Sequence, residues 1–193
     1  MFALNRARFR PDTQIDSDAR EALRDARAHR PGPRNVAMAA LVRDACAQFT
    51  CNTGMVDDVV SRAATAGLVV RVYVLEDGSS DCTPEVLKTW AKRRDYVRRV
   101  PQPSKEKRWA WDEGSKGAYQ LTRDEAVREM RFAQMASLRD HVAAYILDDA
   151  SFAPDAIAVF DADQGSGWAS QNIVRAMKAV AGGEYDAACA NGI

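Results

Sequence analysis

Two acidic clusters, each closing an apolar run, are the residues of this chain best suited to chemistry. The first is Glu76-Asp77-Gly78-Ser79-Ser80-Asp81-Cys82-Thr83, which follows Val72-Tyr73-Val74-Leu75. The second is Asp161-Ala162-Asp163, which follows Ala156-Ile157-Ala158-Val159-Phe160. Read as strands, both runs end in carboxylates, and open α/β sheets bind ligands outside the carboxyl ends of their strands. Carboxylate oxygens suit hard cations that also keep phosphate and water ligands, so the pattern points to a nucleotide held with a divalent metal. Within the first cluster an aspartate can accept hydrogen bonds from a base or ribose, Gly78 permits a sharp turn, and the serines supply small donors. The same residues also make an ordinary strand-to-helix turn, where Asp, Gly and Ser are favoured.

The elements that must position these clusters alternate along the chain. Asn35 to Leu41 reads as a buried strand after the Pro31-Gly32-Pro33 break, although its alanines also suit a helix. Val56 to Ala66 reads as a helix, with Asp57 and Asp58 in its first turn and Gly67 at its end. Leu68 to Leu75 is the clearest strand. Thr83 then suits an N-cap with Pro84 at the first helical position, and Val86, Leu87, Trp90 and Ala91 make a buried stripe. A short strand near Tyr96 to Val100 leads into a long polar segment, 101–122, of a length usually found in functional lids or disordered stretches. Asp124 to Tyr145 reads as a helix with Val127, Met130, Leu138 and Val142 as its apolar positions. The Asp161 strand, a helix from about Gln171 to Ala181, a Gly182-Gly183 stop and a last strand from Tyr185 to Ala190 complete the pattern. Alternation of this kind predicts a Rossmann-like α/β sandwich with a mainly parallel sheet. Residues 1–34, with a short helix from Asp18 to His29, read as a lead-in and 35–193 as the domain.

Composition bounds the chemistry. The 193 residues are 47% hydrophobic and 28% charged, which suits one globular domain with a sizeable core. Lys plus Arg number 27 against 27 Asp plus Glu, so no net field favours nucleic acid or an anionic membrane, and any phosphate binding must be local. Cys46, Cys51, Cys82 and Cys189 show no CxxC spacing and are expected to be reduced structural thiols. His29 and His141 are too isolated to suggest zinc. No apolar run approaches the ~20 residues a membrane span needs. The chain as it stands is therefore expected in the cytoplasm, unless it is a fragment of a longer protein with an anchor outside it.

Other candidates carry two readings each. Arg128, Arg131 and Arg139 fall within about 80° of one another on a helix, as a basic stripe for phosphate or a solvated charged face. Asp148 and Asp149 read as loop solvation or helix capping rather than a metal site. Lys105, Lys107 and Arg108 suit phosphates or plain solvation, while Trp109 and Trp111 suit stacking on a sugar or base, or anchoring of their loop. Trp168, beside the second acidic cluster, suits stacking on a bound ligand or packing in the core.

The turn Glu76 to Thr83 resembles the (D/E)-(D/S)-G-S-x-D-x-T turn of GT-A glycosyltransferases, in family 2 and in the capsular α-1,3-mannosyltransferases of family 69. Asp161-Ala162-Asp163 looks like the DxD motif of the same fold. Arg131 to Asp140 is similar to the R-x3-(L/M)-A-x-L-R-N helix of family 69, with Asp140 where the family has Asn, and Gly183 to Ala190 is similar to its strand after the DxD. The resemblance spans roughly residues 35–193 and implies a GT-A fold and transfer of a sugar from a GDP- or UDP-sugar to a glycan or glycoconjugate hydroxyl. It assigns Glu76, Asp77, Gly78, Ser79 and Asp81 to the nucleoside, Arg131 and Arg139 to the phosphates, Ala162 to the donor site, and Asp161 and Asp163 to Mn²⁺ or Mg²⁺. The family places much of its acceptor site after the DxD, so the resemblance also implies a domain that stops short at its C-terminus, and it names no catalytic base. Two other readings suit the same residues: a nucleotide-sugar-binding module without transferase activity, and a sugar nucleotidyltransferase. The chain contains neither G-x-G-x-x-G nor G-x-x-x-x-G-K-(S/T), which counts against dinucleotide and P-loop enzymes.

Overall fold

A computed structural model describes residues 2–4, 25, 31–103, 123–162, 169–185 and 188, with the side chains of 2–4 and 123–132 left out. The elements are β1 (Phe2–Leu4), β2 (Arg34–Val42), α1 (Cys46–Thr65), β3 (Leu68–Glu76), α2 (Thr83–Arg93), β4 (Val97–Val100), α3 (Arg123–Asp148), β5 (Ala156–Asp161) and α4 (Ser170–Ala181). The five strands form one sheet in the order β1-β5-β2-β3-β4. The four strands β5, β2, β3 and β4 run parallel, and β1 closes the edge antiparallel to β5, with Phe2 opposite Val159. The chain is thus α/β with a Rossmann-like sheet, as its alternating pattern predicts.

Two cores sandwich this sheet. Val36, Met38, Ala40 and Val42 of β2 and Val70, Val72 and Val74 of β3 face Phe49, Val56 and Val59 of α1, Leu87 and Trp90 of α2, and Ile173, Val174 and Met177 of α4. The alternate residues Ala37, Ala39, Tyr73 and Leu75 face Leu138, Val142 and Ile146 of α3, which recur every fourth residue along one helical face. Along β2 from Val36 onward a side chain is therefore covered whichever way it points, which explains why β2 is apolar without alternation. Pairing on both sides settles the Ala-rich segment as a strand, since β preference is set largely by neighbours.

Several local readings change. Helix α1 begins at Cys46, ten residues before Val56, so Asp57 and Asp58 lie in its interior instead of its first turn. Asp57 there accepts hydrogen bonds from Trp90 Nε1 at 2.9 Å, from Arg94 Nε and Nη2 at 2.9 and 2.7 Å, and from the Tyr96 hydroxyl. It ties α1 to α2 and to the approach to β4. Thr83 is the first residue of α2 rather than its cap, and Cys82 precedes it. Asp149 is neither loop solvation nor a cap. It is partly buried and accepts from Arg71 Nη1 at 2.7 Å, the Tyr73 hydroxyl at 2.8 Å and the Ser151 hydroxyl at 2.6 Å, while Arg71 also lies over the Phe152 ring. Cys46 and Cys82 form a disulfide, correcting the expectation of reduced thiols, and Cys51 is free and exposed. The short helix from Asp18 to His29 and the strand from Tyr185 to Ala190 lie, but for single positions, outside the described residues. Among the described residues no helix is long and apolar enough to cross a membrane.

Candidate functional site

The carboxyl ends of β2, β3 and β5 lie side by side, because Leu41 pairs with both Leu75 and Asp161. The chain steps outward from β2 through β3 to β4 and then returns to the other side of β2 as β5, so the strand order reverses at the β2–β5 boundary. Such reversals are where open α/β sheets bind ligands. The two acidic clusters thus flank one strand, whose own end contributes Arg43 and Asp44.

Asp77 is 6% exposed, and its main-chain N–H donates to the Val42 carbonyl at 3.0 Å. Its Oδ2 lies 3.5 Å from Arg43 Nη1 and 3.4 Å from Gln134 Nε2 on α3. Gly78 follows with φ +69°, a conformation that side chains disfavour, so a glycine is needed to turn the chain out of β3. Glu76 faces its own loop, where its carboxylate accepts the Ser79 N–H, and its carbonyl accepts from Gln102 Nε2 at 2.9 Å.

The turn is held by reciprocal hydrogen bonds to the end of β2. Asp44 N–H donates to Ser79 Oγ at 2.9 Å, and Asp44 Oδ1 accepts from Ser80 N–H at 2.6 Å and its hydroxyl at 3.1 Å. The Ser80 amide, together with Arg43, holds the Asp44 carboxyl below the usual carboxylate range. Asp44 has φ +46°, a left-handed conformation that Asp visits more readily than most residues, held here by the bonds to Ser79 and Ser80. Asp81 is committed on both oxygens: Oδ2 accepts the Cys46 N–H at 2.9 Å, and Oδ1 accepts the Thr83 hydroxyl at 2.6 Å and N–H at 2.9 Å. These bonds, the Thr83 hydroxyl first, lower its pKa and occupy the first N–H groups of α1 and α2. Asp81 is a part of the turn's frame, whereas Asp77 and the serines face the strand ends.

At the other side, Asp161 ends β5 with its side chain half exposed, and Arg139 Nη2 on α3 lies 3.5 Å from Asp161 Oδ1. The fully buried Ala162 follows, and its carbonyl accepts Asn52 Nδ2 of α1 at 2.6 Å. The structure therefore brings Asp77, Ser79, Asp161 and Arg139 to one edge of the sheet. The side chain of Arg131, all of Asp163, Trp168, Lys105, Lys107, Arg108, Trp109 and Trp111, and the side chain of Arg128 lie outside the described residues. Among the described residues no three His, Cys, Asp or Glu side chains are grouped to hold a metal.

Four residues at this edge escaped the sequence reading: Arg43, Asp44, Asn52 and Gln134. Asn52 alone left a signal, as the one amide on the stripe Phe49, Asn52, Val56 and Val59 that α1 buries. Comparison with known protein families, characterised proteins and solved structures finds no match to this chain.

Proposed function

We propose that this protein is a metal-assisted glycosyltransferase of GT-A type that moves a sugar from a GDP- or UDP-sugar to a hydroxyl of a glycan or glycoconjugate. The observation that carries the reading is the pair of acidic strand ends, Asp77 directly after β3 and Asp161 closing β5, flanking β2 at the carboxyl edge of a parallel sheet. Asp77, with Ser79 and Ser80 beside it, accepts from and donates to the nucleoside. Arg139, and Arg131 on the same helix, bind the diphosphate; a guanidinium suits this through its planar fork of donors.

Mn²⁺ or Mg²⁺ bound with substrate phosphates asks for only one or two protein carboxylates, and the half-exposed carboxylate of Asp161 is of that kind. Asp161 and Asp163 are the residues that would hold it. When bound, the metal supplies neutralisation of the diphosphate and stabilisation of the leaving nucleoside diphosphate. Arg139, now beside Asp161, would orient the phosphates against that carboxylate. The Cys46–Cys82 disulfide favours an oxidising compartment, such as the Golgi lumen, over the cytoplasm.

A thermal-shift series with GDP- and UDP-sugars, with and without Mn²⁺, tests the reading. A ligand that binds only the folded chain adds about 2.7 kcal/mol of stability at a hundred times its Kd. One donor class should raise the melting temperature in a Mn²⁺-dependent way, and Asp161→Ala should remove the Mn²⁺ increment without lowering the unliganded melting temperature by more than a few degrees. An undiminished increment in Asp161→Ala would remove the metal role of that carboxylate, and no shift with any nucleotide sugar would remove the function.

A further inference from the structure

We propose that Asn52 is a positioning residue for the acidic end of β5, an inference that rests on the donor-site reading. Asn52 sits on the face of α1 that packs against the sheet, where its neighbours on the same stripe, Phe49, Val56 and Val59, are apolar and buried. An amide 1% exposed at such a position costs free energy unless it is hydrogen-bonded. Its Nδ2 donates to the Ala162 carbonyl at 2.6 Å, across 110 residues of sequence.

That carbonyl is a telling partner. The pairing of β5 with β2 ends at Leu41–Asp161, so Ala162 lies one residue past the ladder, between the two acidic residues of the cluster. The path of the main chain there decides where the Asp161 carboxylate is presented, and the Asn52 amide takes over where the sheet stops fixing it. The same helix is bound at its first residue to the other acidic turn, through the Cys46 N–H on Asp81 and the Cys46–Cys82 disulfide. Six residues, or about 9 Å of helix axis, separate the two attachments. The first two turns of α1 thus act as a strut that sets the metal side of the site against the nucleoside side. Groups that orient metal ligands without touching the metal typically matter by about 10–100-fold in metal affinity.

The test is Asn52→Leu, which keeps the size and the helix and removes the donor. Calorimetry with GDP and UDP should show Mn²⁺-dependent affinity reduced at least ~10-fold, while affinity in EDTA, resting on the Asp77 side, stays within about twofold. Hydrogen exchange of the unliganded variant should quicken at 156–162 and stay unchanged at 76–83. Equal losses with and without Mn²⁺, or unaltered affinity and exchange, would overturn the inference. Should wild type bind no nucleotide with Mn²⁺, the donor-site reading and the metal role of Asn52 fall together, while quickened exchange at 156–162 would still show that the amide holds the strand end. If far-UV circular dichroism shows Asn52→Leu unfolded, Asn52→Ala carries the same measurements.

Discussion

Carboxylates of this chain are sorted by what they accept, and the sorting separates frame from site. Asp81 gives both oxygens to N–H and O–H donors of the turn, so Asp81→Asn should disturb two helix starts more than any ligand. Asp149 is the extreme case of a structural acid. The Ser151 hydroxyl lowers its pKa most strongly, with Tyr73, Arg71 and then the Ser151 amide adding to it against the cost of burial. The same contact works in reverse on Tyr73, whose hydroxyl is pushed up by burial first and by the neighbouring carboxylate second. A carboxyl whose folded pKa is depressed contributes stability above its unfolded value and loses it as pH falls through the folded one. Asp149→Asn should therefore cost about 2 kcal/mol at pH 7, with a penalty that shrinks as pH drops below about 4. Urea midpoints of both proteins at pH 7 and pH 3 check this, and a penalty independent of acid would show that the charge is irrelevant. The sequence marked Asp148 and Asp149 only as adjacent acids near a proline, because Arg71 and Tyr73 come from a strand some 78 residues away.

At the scale of elements, α1 shows why boundaries hid in the sequence. Its expected start leaned on Asp57 and Asp58, since acids favour a first turn, but those residues serve Trp90, Arg94, Tyr96 and Arg62 instead. The real start at Cys46 has no side-chain cap of its own, and its first N–H is met by Asp81, 35 residues on. No local window contains that cap. The disulfide escaped for a similar reason: nothing in the spacing of Cys46 and Cys82 signals a pair, and only the juxtaposition of the α1 and α2 starts brings their Cα atoms to 5.3 Å. Closing a loop of this size restricts the unfolded chain, so Cys46→Ser or reduction should lower stability by about 2–4 kcal/mol. Urea unfolding with and without dithiothreitol measures it, with alkylation of Cys46 and Cys82 expected only after reduction. Ready alkylation of both in the unreduced folded protein would refute the bridge.

For the whole molecule, the legible and the illegible divide by range. Strand β3 and its acidic turn stood out because an apolar run, a glycine and a helix stripe are consecutive, and β5 with Asp161 for the same reason. Strand β1 did not, since three residues inside a polar lead-in carry no periodicity, and only pairing with β5 makes them a strand. That the two acidic ends share an edge follows from strand order, which no single segment encodes. The two ends of the sheet then differ in kind: Arg71, Asp149 and Ser151 bond one another within 2.6–2.8 Å on one side, whereas on the other Arg43 and Gln134 lie 3.4–3.5 Å from Asp77 and Arg139 lies 3.5 Å from Asp161. A bound nucleoside diphosphate should discriminate between them. With GDP or UDP and Mn²⁺ present, amide exchange should slow at 42–46, 76–83 and 156–162 and remain unchanged at 68–71 and 149–153, because only local openings near a ligand are suppressed by its binding. Global stabilisation also slows the most protected amides of β2 and β3, so the comparison rests on the faster-exchanging ends. Protection confined to 149–153, or spread evenly over both ends, would move the site away from the acidic edge even if the nucleotide binds.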